Sequence, residues 1–177
     1  MYLEEFINYK NQLTDDLLGN EEIVRLMNDK YELTPIEHAG ELFRTQLFPY
    51  EFIPETVEHG KTFVCFDVDI NRSSGRWDFQ SGKMTYNPVL YIWIFTHKSL
   101  LWLPDGGGVR MDRLASEIVK TINGSHFYGM GTLDLYSVKR FAPMADYNGK
   151  VLTFDAKDWN NPSPSGHAWP KNRRDGV

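Results

Sequence analysis

Asp67 and Asp69 stand two positions apart inside the apolar run TFVCFDVDI. In an extended chain that spacing puts both carboxylates on one side, with α-carbons about 7 Å apart. Two carboxylates so placed suit a shared divalent cation, and a metal-bound water would then attack a phosphate ester. Such a centre needs a further ligand and a base. His97, Asp78 and Glu58 are of the right type, but no spacing draws them to the pair. The plainer reading is a solvated strand face.

Other candidate chemistry is weaker. The glycines of DGGG at 105–108 precede a helical pattern, where free amides suit an anion. A phosphate-binding loop would continue with Lys and Ser or Thr, whereas Val109-Arg110 follows, so a turn is the better reading. His38, His59, His97, His126 and His167 are scattered, with no zinc-type spacing. Ser125 and His126 are neighbours without a nucleophile elbow. The lone cysteine, Cys65, lies in an apolar strand pattern and reads as a small core residue. The aromatic run VLYIWIF lacks the interleaved Lys and Arg of a base-stacking surface. The short basic run KNRR at 171–174 reads as solvated.

The elements that would position these residues follow from periodicity. Apolar spacing predicts a short helix from about Tyr2 to Gln12, with Leu3, Phe6, Ile7 and Lys10 on one face. A second starts at an Asn20 N-cap and carries Ile23, Leu26 and Met27. A third opens at Pro35, with Ile36, Ala39, Leu42 and Phe43 facing inward. The prolines of LFPYEFIPE, 47–55, forbid a helix, and its aromatics predict an extended segment packed on the core or on a neighbouring chain. Alternation predicts strands over Thr62–Ile70 and Val89–His97, the second apolar on both faces and therefore central. Between them the segment RWDFQSGKMTYNP reads as a hairpin or flap turning at Ser81-Gly82. Helical spacing returns at Arg110–Asn123, closed by Gly124, with an Arg113–Glu117 pair on its wet side. Strands over Gly131–Val138 and Lys150–Asp155 follow, with YNGK at 147–150 read as the turn between them.

The fold class is therefore α+β. A largely antiparallel or mixed sheet of four to five strands carries the 110–123 helix, with short helices before it. Residues 1–159 read as a single domain, 1–46 helical and 60–159 sheet and helix. Residues 160–177, rich in Pro, Ser, Asn and Gly, read as an extended arm. The chain has 177 residues, 41% of them hydrophobic, enough for one core. A net charge of -5 argues against a protein whose main task is gripping phosphate backbones. Neither a signal peptide nor a membrane-length apolar run is present, so a reducing cytoplasm is expected.

From Gly60 onward the order of elements resembles neck and tail-terminator proteins of tailed bacteriophages. The likeness rests on TFVCFDVDI, VLYIWIFTH, RMDRLASEIVKTING, GMGTLDLYSVKRFAP and YNGKVLTFDAKDWN, with LFPYEFIPE before the first strand. It covers about two thirds of the chain and contains no catalytic motif. The resemblance implies a non-enzymatic virion subunit without cofactor or metal, forming a homo-oligomeric ring, commonly a hexamer, at the head–tail junction. Its partners would be tail-tube and head-connector proteins. Double-stranded DNA would pass without sequence-specific binding, and assembly would take place in the host cytoplasm, away from membranes. Within such a ring, Phe48, Tyr50, Phe52, Trp159 and Trp169 are the expected interface residues, and Asp67 and Asp69 the expected acidic lining of the channel. A stopper or adaptor is the alternative within the class. A divalent-metal nuclease or phosphoesterase using Asp67 and Asp69 is the rival from another class, and a cytoplasmic binding module a third.

Overall fold

The computed structural model describes residues 3–32, 36–53, 60–70, 76–78, 83–85, 88–126 and 128–157, with side chains described for these except 3–7, 36–37, 70, 76–78 and 83–85. Helix α1 (Leu3–Gly19) is followed by α2 (Glu21–Met27) and the single turn α3 (Ile36–Ala39). Strands β1 (Leu47–Phe48) and β2 (Thr62–Ile70), the pair β3 (Arg76–Asp78) and β4 (Lys83–Thr85), and β5 (Pro88–His97) come next. Helix α4 (Arg110–Ile122), β6 (Thr132–Phe141) and β7 (Tyr147–Lys157) complete the order.

Five strands form one sheet in the order β1-β2-β5-β7-β6, and β3 and β4 form a separate antiparallel pair. Every neighbour in the large sheet is antiparallel except β1, which lies parallel to β2 with Leu47 opposite Val64. The architecture is the expected α+β layer, with β5 central. The hairpin over RWDFQSGKMTYNP is also present, although Ser81 and Gly82 lie outside the described residues.

Alternation sorts the sheet into two faces. Val64 and Phe66 of β2, Leu90, Ile92 and Ile94 of β5, and Leu152 and Phe154 of β7 meet α1, α2 and α4 in the main core. Helix α4 supplies Leu114, Ala115, Ile118 and Ile122 to it, the spacing of one helical face. On the opposite face, Phe63, Cys65, Phe95 and Tyr147 form a smaller cluster roofed by Phe48 and Phe52. Gly149 is required there. A Cβ at that position would lie 2.1 Å from the Ile94 carbonyl oxygen, and its cross-strand partners are Phe95 and Phe141.

Local chemistry accounts for the helix ends. The Asn20 side chain accepts from the amides of Glu22 and Ile23, as its N-cap position predicts. Gly124 follows the Asn123 cap of α4 with φ of 79°, a conformation natural to glycine. Helix α1 runs seven residues beyond the expected end at Gln12, because Tyr9, Leu13 and Leu17 continue a buried stripe. Two other expectations are corrected. Residues 147–150 belong to β7, and the turn lies before them. Arg113 reaches Glu22 of α2 at 3.5 Å, while Glu117 takes Lys120 at 2.7 Å.

The helices are joined to the sheet by buried polar ties. Arg110, 2% exposed, donates from Nε to Leu100 O and from Nη1 to Leu26 O and Asn28 O, at 2.7–2.9 Å. It sits at the N-terminus of α4, where a cation is disfavoured by the helix dipole, yet its head lies at the C-terminus of α2, where one is favoured. Buried Gln46 donates to Met27 O at 2.7 Å and Thr62 O at 2.9 Å, fastening the same end of α2 to the start of β2.

Candidate functional site

Strand β1 is only two residues long, so beyond Cys65 the outer edge of β2 has no strand beside it among the described residues. Helix α1 closes that edge. Lys10 donates to the Pro49 carbonyl at 2.7 Å and pairs with Asp67 at 3.1 Å. The Tyr9 hydroxyl donates to Asp67 Oδ1 at 3.3 Å, and the Val68 amide donates to the same oxygen at 2.9 Å. Burial raises the Tyr9 phenol well above its ordinary value, and the neighbouring Asp67 charge raises it further. Asp67 is therefore a tied edge residue that accepts two hydrogen bonds and pairs with a lysine.

Asp69, one pleat further along, is exposed. Its strand partner is Val89, while Asp67 faces Tyr91 across the ladder. Tyr91 and Trp93 are half-buried and stacked, with centroids 5.8 Å apart and planes at 20°. Together with Glu51, Val68 and Val151 these residues line an open groove of about 350 Å³. In the same segment as Glu51, Phe48 and Phe52 pack over Phe63, and the Phe52 carbonyl lies over Cys65.

As a metal centre the pair gains no support from its surroundings. His97 lies six residues along β5 from Tyr91, the partner of Asp67, roughly 20 Å away. Its Nδ1 sits 2.7 Å from Ser99 Oγ, and its ring packs on Tyr147. Among the described residues no three His, Cys, Asp or Glu side chains gather as a metal would require. Glu58 lies outside the described residues, as does the side chain of Asp78.

The other candidates resolve into structural roles. The Asp105 carboxylate takes the Gly107 amide at 2.8 Å and the Tyr31 hydroxyl at 2.9 Å, so the glycine loop is held by its own acid. Those donors, with Arg25 nearby, hold Asp105 below the ordinary carboxylate value. Cys65 is buried under the Phe52 carbonyl, and burial pushes its thiol up to about 12, far from a reactive thiolate.

The expected interface residues divide. Phe48 is 5% exposed and stacks on half-buried Phe52 at 4.0 Å, so it is packed within its own chain. Tyr50 and Ile53 of the same segment are 45% and 44% exposed. Trp159 and Trp169 lie outside the described residues. Sequence reasoning passed over β6, where Tyr136 and Val138 are 71% and 47% exposed beside exposed Lys139 and Arg140. Its signal was the polar-apolar mixture of LYSVKR on both alternating sets, which no half-buried strand would carry. Trp102, 74% exposed in the loop before α4, was likewise passed over.

These features define an α+β protein whose five-stranded sheet is covered by helices on one face and, among the described residues, partly by the Phe48–Phe52 segment on the other. A family model matches residues 20–156, and the chain belongs to the YomW family, a phage-associated protein family. No curated protein matches the sequence. Among solved structures, a chain described as "Virion of native gene transfer agent (GTA) particle" is similar at a TM-score of 0.39 and 16% identity, over 66% of this chain and 81% of that one. A likeness of that size carries no argument about role. No helix among the described residues is long and apolar enough to cross a membrane.

Proposed function

We propose that this protein is a structural subunit of a tailed-phage particle, placed at the neck as the tail terminator, and that it acts by closing into a ring. Its family supplies the phage context. The observation that carries the ring is the unlikeness of the two ends of the sheet. At one end β6 has no further strand beside it among the described residues, and it presents Tyr136 and Val138 with the cations Lys139 and Arg140. At the other end, four strand spacings or roughly 19 Å away, the segment after β1 presents Tyr50 and Ile53 around the exposed anion Glu51.

The two patches differ in charge and lie at opposite ends of the subunit. They match head to tail, and head-to-tail contacts close into rings when the rotation allows. Apolar side chains at each end supply the burial and the opposite charges set the register. The passage of DNA fits the same reading. Because Lys10 neutralises Asp67, repulsion of phosphates falls to the net charge of -5 as a whole, which denies DNA the counterion release that would hold it.

Native mass spectrometry of the purified chain, alone and with phage tails, tests the ring. One closed stoichiometry is expected, commonly six. Glu51→Lys should disperse it, and Glu51→Lys combined with Lys139→Glu and Arg140→Glu should restore it. A two-fold dimer, or monomers under every condition, overturns the ring. Antibody label at the head–tail junction of intact particles supports the terminator position, and label elsewhere on the particle refutes it. Manganese-dependent hydrolysis of a phosphodiester that stops with Asp69→Asn would instead establish the nuclease.

A further inference from the structure

The groove between Glu51, Asp67, Asp69, Tyr91 and Trp93 has an aromatic floor and an acidic rim, and of these residues the proposed ring contacts use only Glu51. A stacked Tyr–Trp pair left half-buried is costly to expose and suited to one more planar or apolar group. The three carboxylates along one side suit a short run of cations. The chain itself contains a segment of matching chemistry. GHAWPKNRR, residues 166–174, places one indole two residues before Lys171, with Arg173 and Arg174 immediately beyond.

We propose that this groove is the seat of the chain's own segment 166–174. In that seat Trp169 stacks against Trp93 and Tyr91, and Lys171, Arg173 and Arg174 pair with Glu51 and Asp69. Reach decides which tryptophan serves. Lys157 ends β7, and Val151 at the groove lies six residues back along the same strand, roughly 20 Å away. Trp159 follows Lys157 by two residues and extends about 7 Å, which is too short. Trp169 follows by twelve residues and extends up to about 40 Å, enough to turn back over β7. Lys10 already occupies Asp67, so the two acids left for the incoming cations are Glu51 and Asp69. The proposal shares Glu51 with the ring reading, so its test is made at Asp69, and its failure leaves that reading untouched.

Trypsin cleavage of the full chain after Lys171, Arg173 and Arg174 reads the docking, because only the undocked segment is cut. The reference is a synthetic peptide of residues 158–177. At low salt the segment in the intact chain should be cut at least about tenfold more slowly than the peptide, and high salt should remove most of that protection. Asp69→Lys, which leaves the ring anion Glu51 in place, should return the rate to that of the peptide, and Trp169→Ala should do so without any change of charge. Asp15→Lys, on the far end of α1, controls for net charge and should leave protection intact. Cleavage of the wild-type segment at the peptide's rate overturns the proposal, as does protection that survives both groove variants. Protection that rises with protein concentration would mean that the segment seats on a second copy, and would overturn docking within one chain.

Discussion

Replacing Arg110 by methionine keeps most of the side-chain volume and removes every donor. Three backbone carbonyls then lose their partner: Leu100 O, Leu26 O and Asn28 O. A hydrogen bond from a charged donor contributes roughly 1.5–3 kcal/mol, and a buried acceptor left unpaired costs about 1–3 kcal/mol. Asn28 O lies near the end of α2 and its site is only partly buried, so water can replace part of that loss. On the other side of the balance, the guanidinium no longer has to be desolvated. Burial is the leading reason its pKa is lowered from the ordinary arginine value, against the favourable charge of Asp29. The net loss is about 3–5 kcal/mol, the range found when one partner of a buried charged cluster is removed. Domains of this kind hold roughly 5–15 kcal/mol in total, so the variant should be marginal at room temperature. Urea denaturation followed by far-ultraviolet circular dichroism measures it. With a slope of about 2 kcal/mol/M the midpoint should fall by roughly 1.5–2.5 M at unchanged slope. Arg110→Lys keeps the charge but not the fork that spans two helices, and should lose about half as much. A methionine variant within about 1 kcal/mol of the parent would refute the view that this side chain fastens α2 to α4.

Two further perturbations test the same structure. Gly149→Ala pushes a methyl group to 2.1 Å from the Ile94 carbonyl oxygen. It should cost at least about 1–3 kcal/mol and lower the thermal midpoint by roughly 3–10 °C, and an unchanged midpoint would contradict the close approach of β7 and β5. Asp105 is held below its ordinary value of 3.8, first by the Gly107 amide and then by the Tyr31 hydroxyl. Its stabilising effect is therefore present above 3.8 and lost as pH falls through the lowered folded value. The difference in thermal midpoint between the parent and Asp105→Asn should stay constant above that pH and shrink below it, and a difference independent of pH would remove the carboxylate from the account.

Much of this fold is legible in the sequence because its signals are local. Period-two alternation located β2 and β5, and the opposing faces of Val89–His97 marked β5 as central before any partner was known. Asn20, Gly124 and the helical spacing of Leu114, Ala115, Ile118 and Ile122 fixed the ends of α2 and α4 and the face α4 buries. The same local chemistry read DGGG as a turn and Cys65 as core, and the structure shows both.

What the sequence could not show depends on which residues meet across the fold. Nothing local marks Arg110 as buried, yet it is the largest fully buried side chain among the described residues, because α4 begins where α2 ends. Asp67 and Asp69 are equivalent in the alternation, but only Asp67 meets Lys10 and Tyr9, because β1 ends after two residues and α1 fills the vacated edge. Arg113 and Glu117 have the spacing of a pair, but each found another partner once α2 was packed alongside. Periodicity is a property of backbone geometry and survives in one dimension. Charge pairing, edge exposure and the burial of a polar head are set by distances between segments far apart in the chain, and only the packed sheet and its helices decide them.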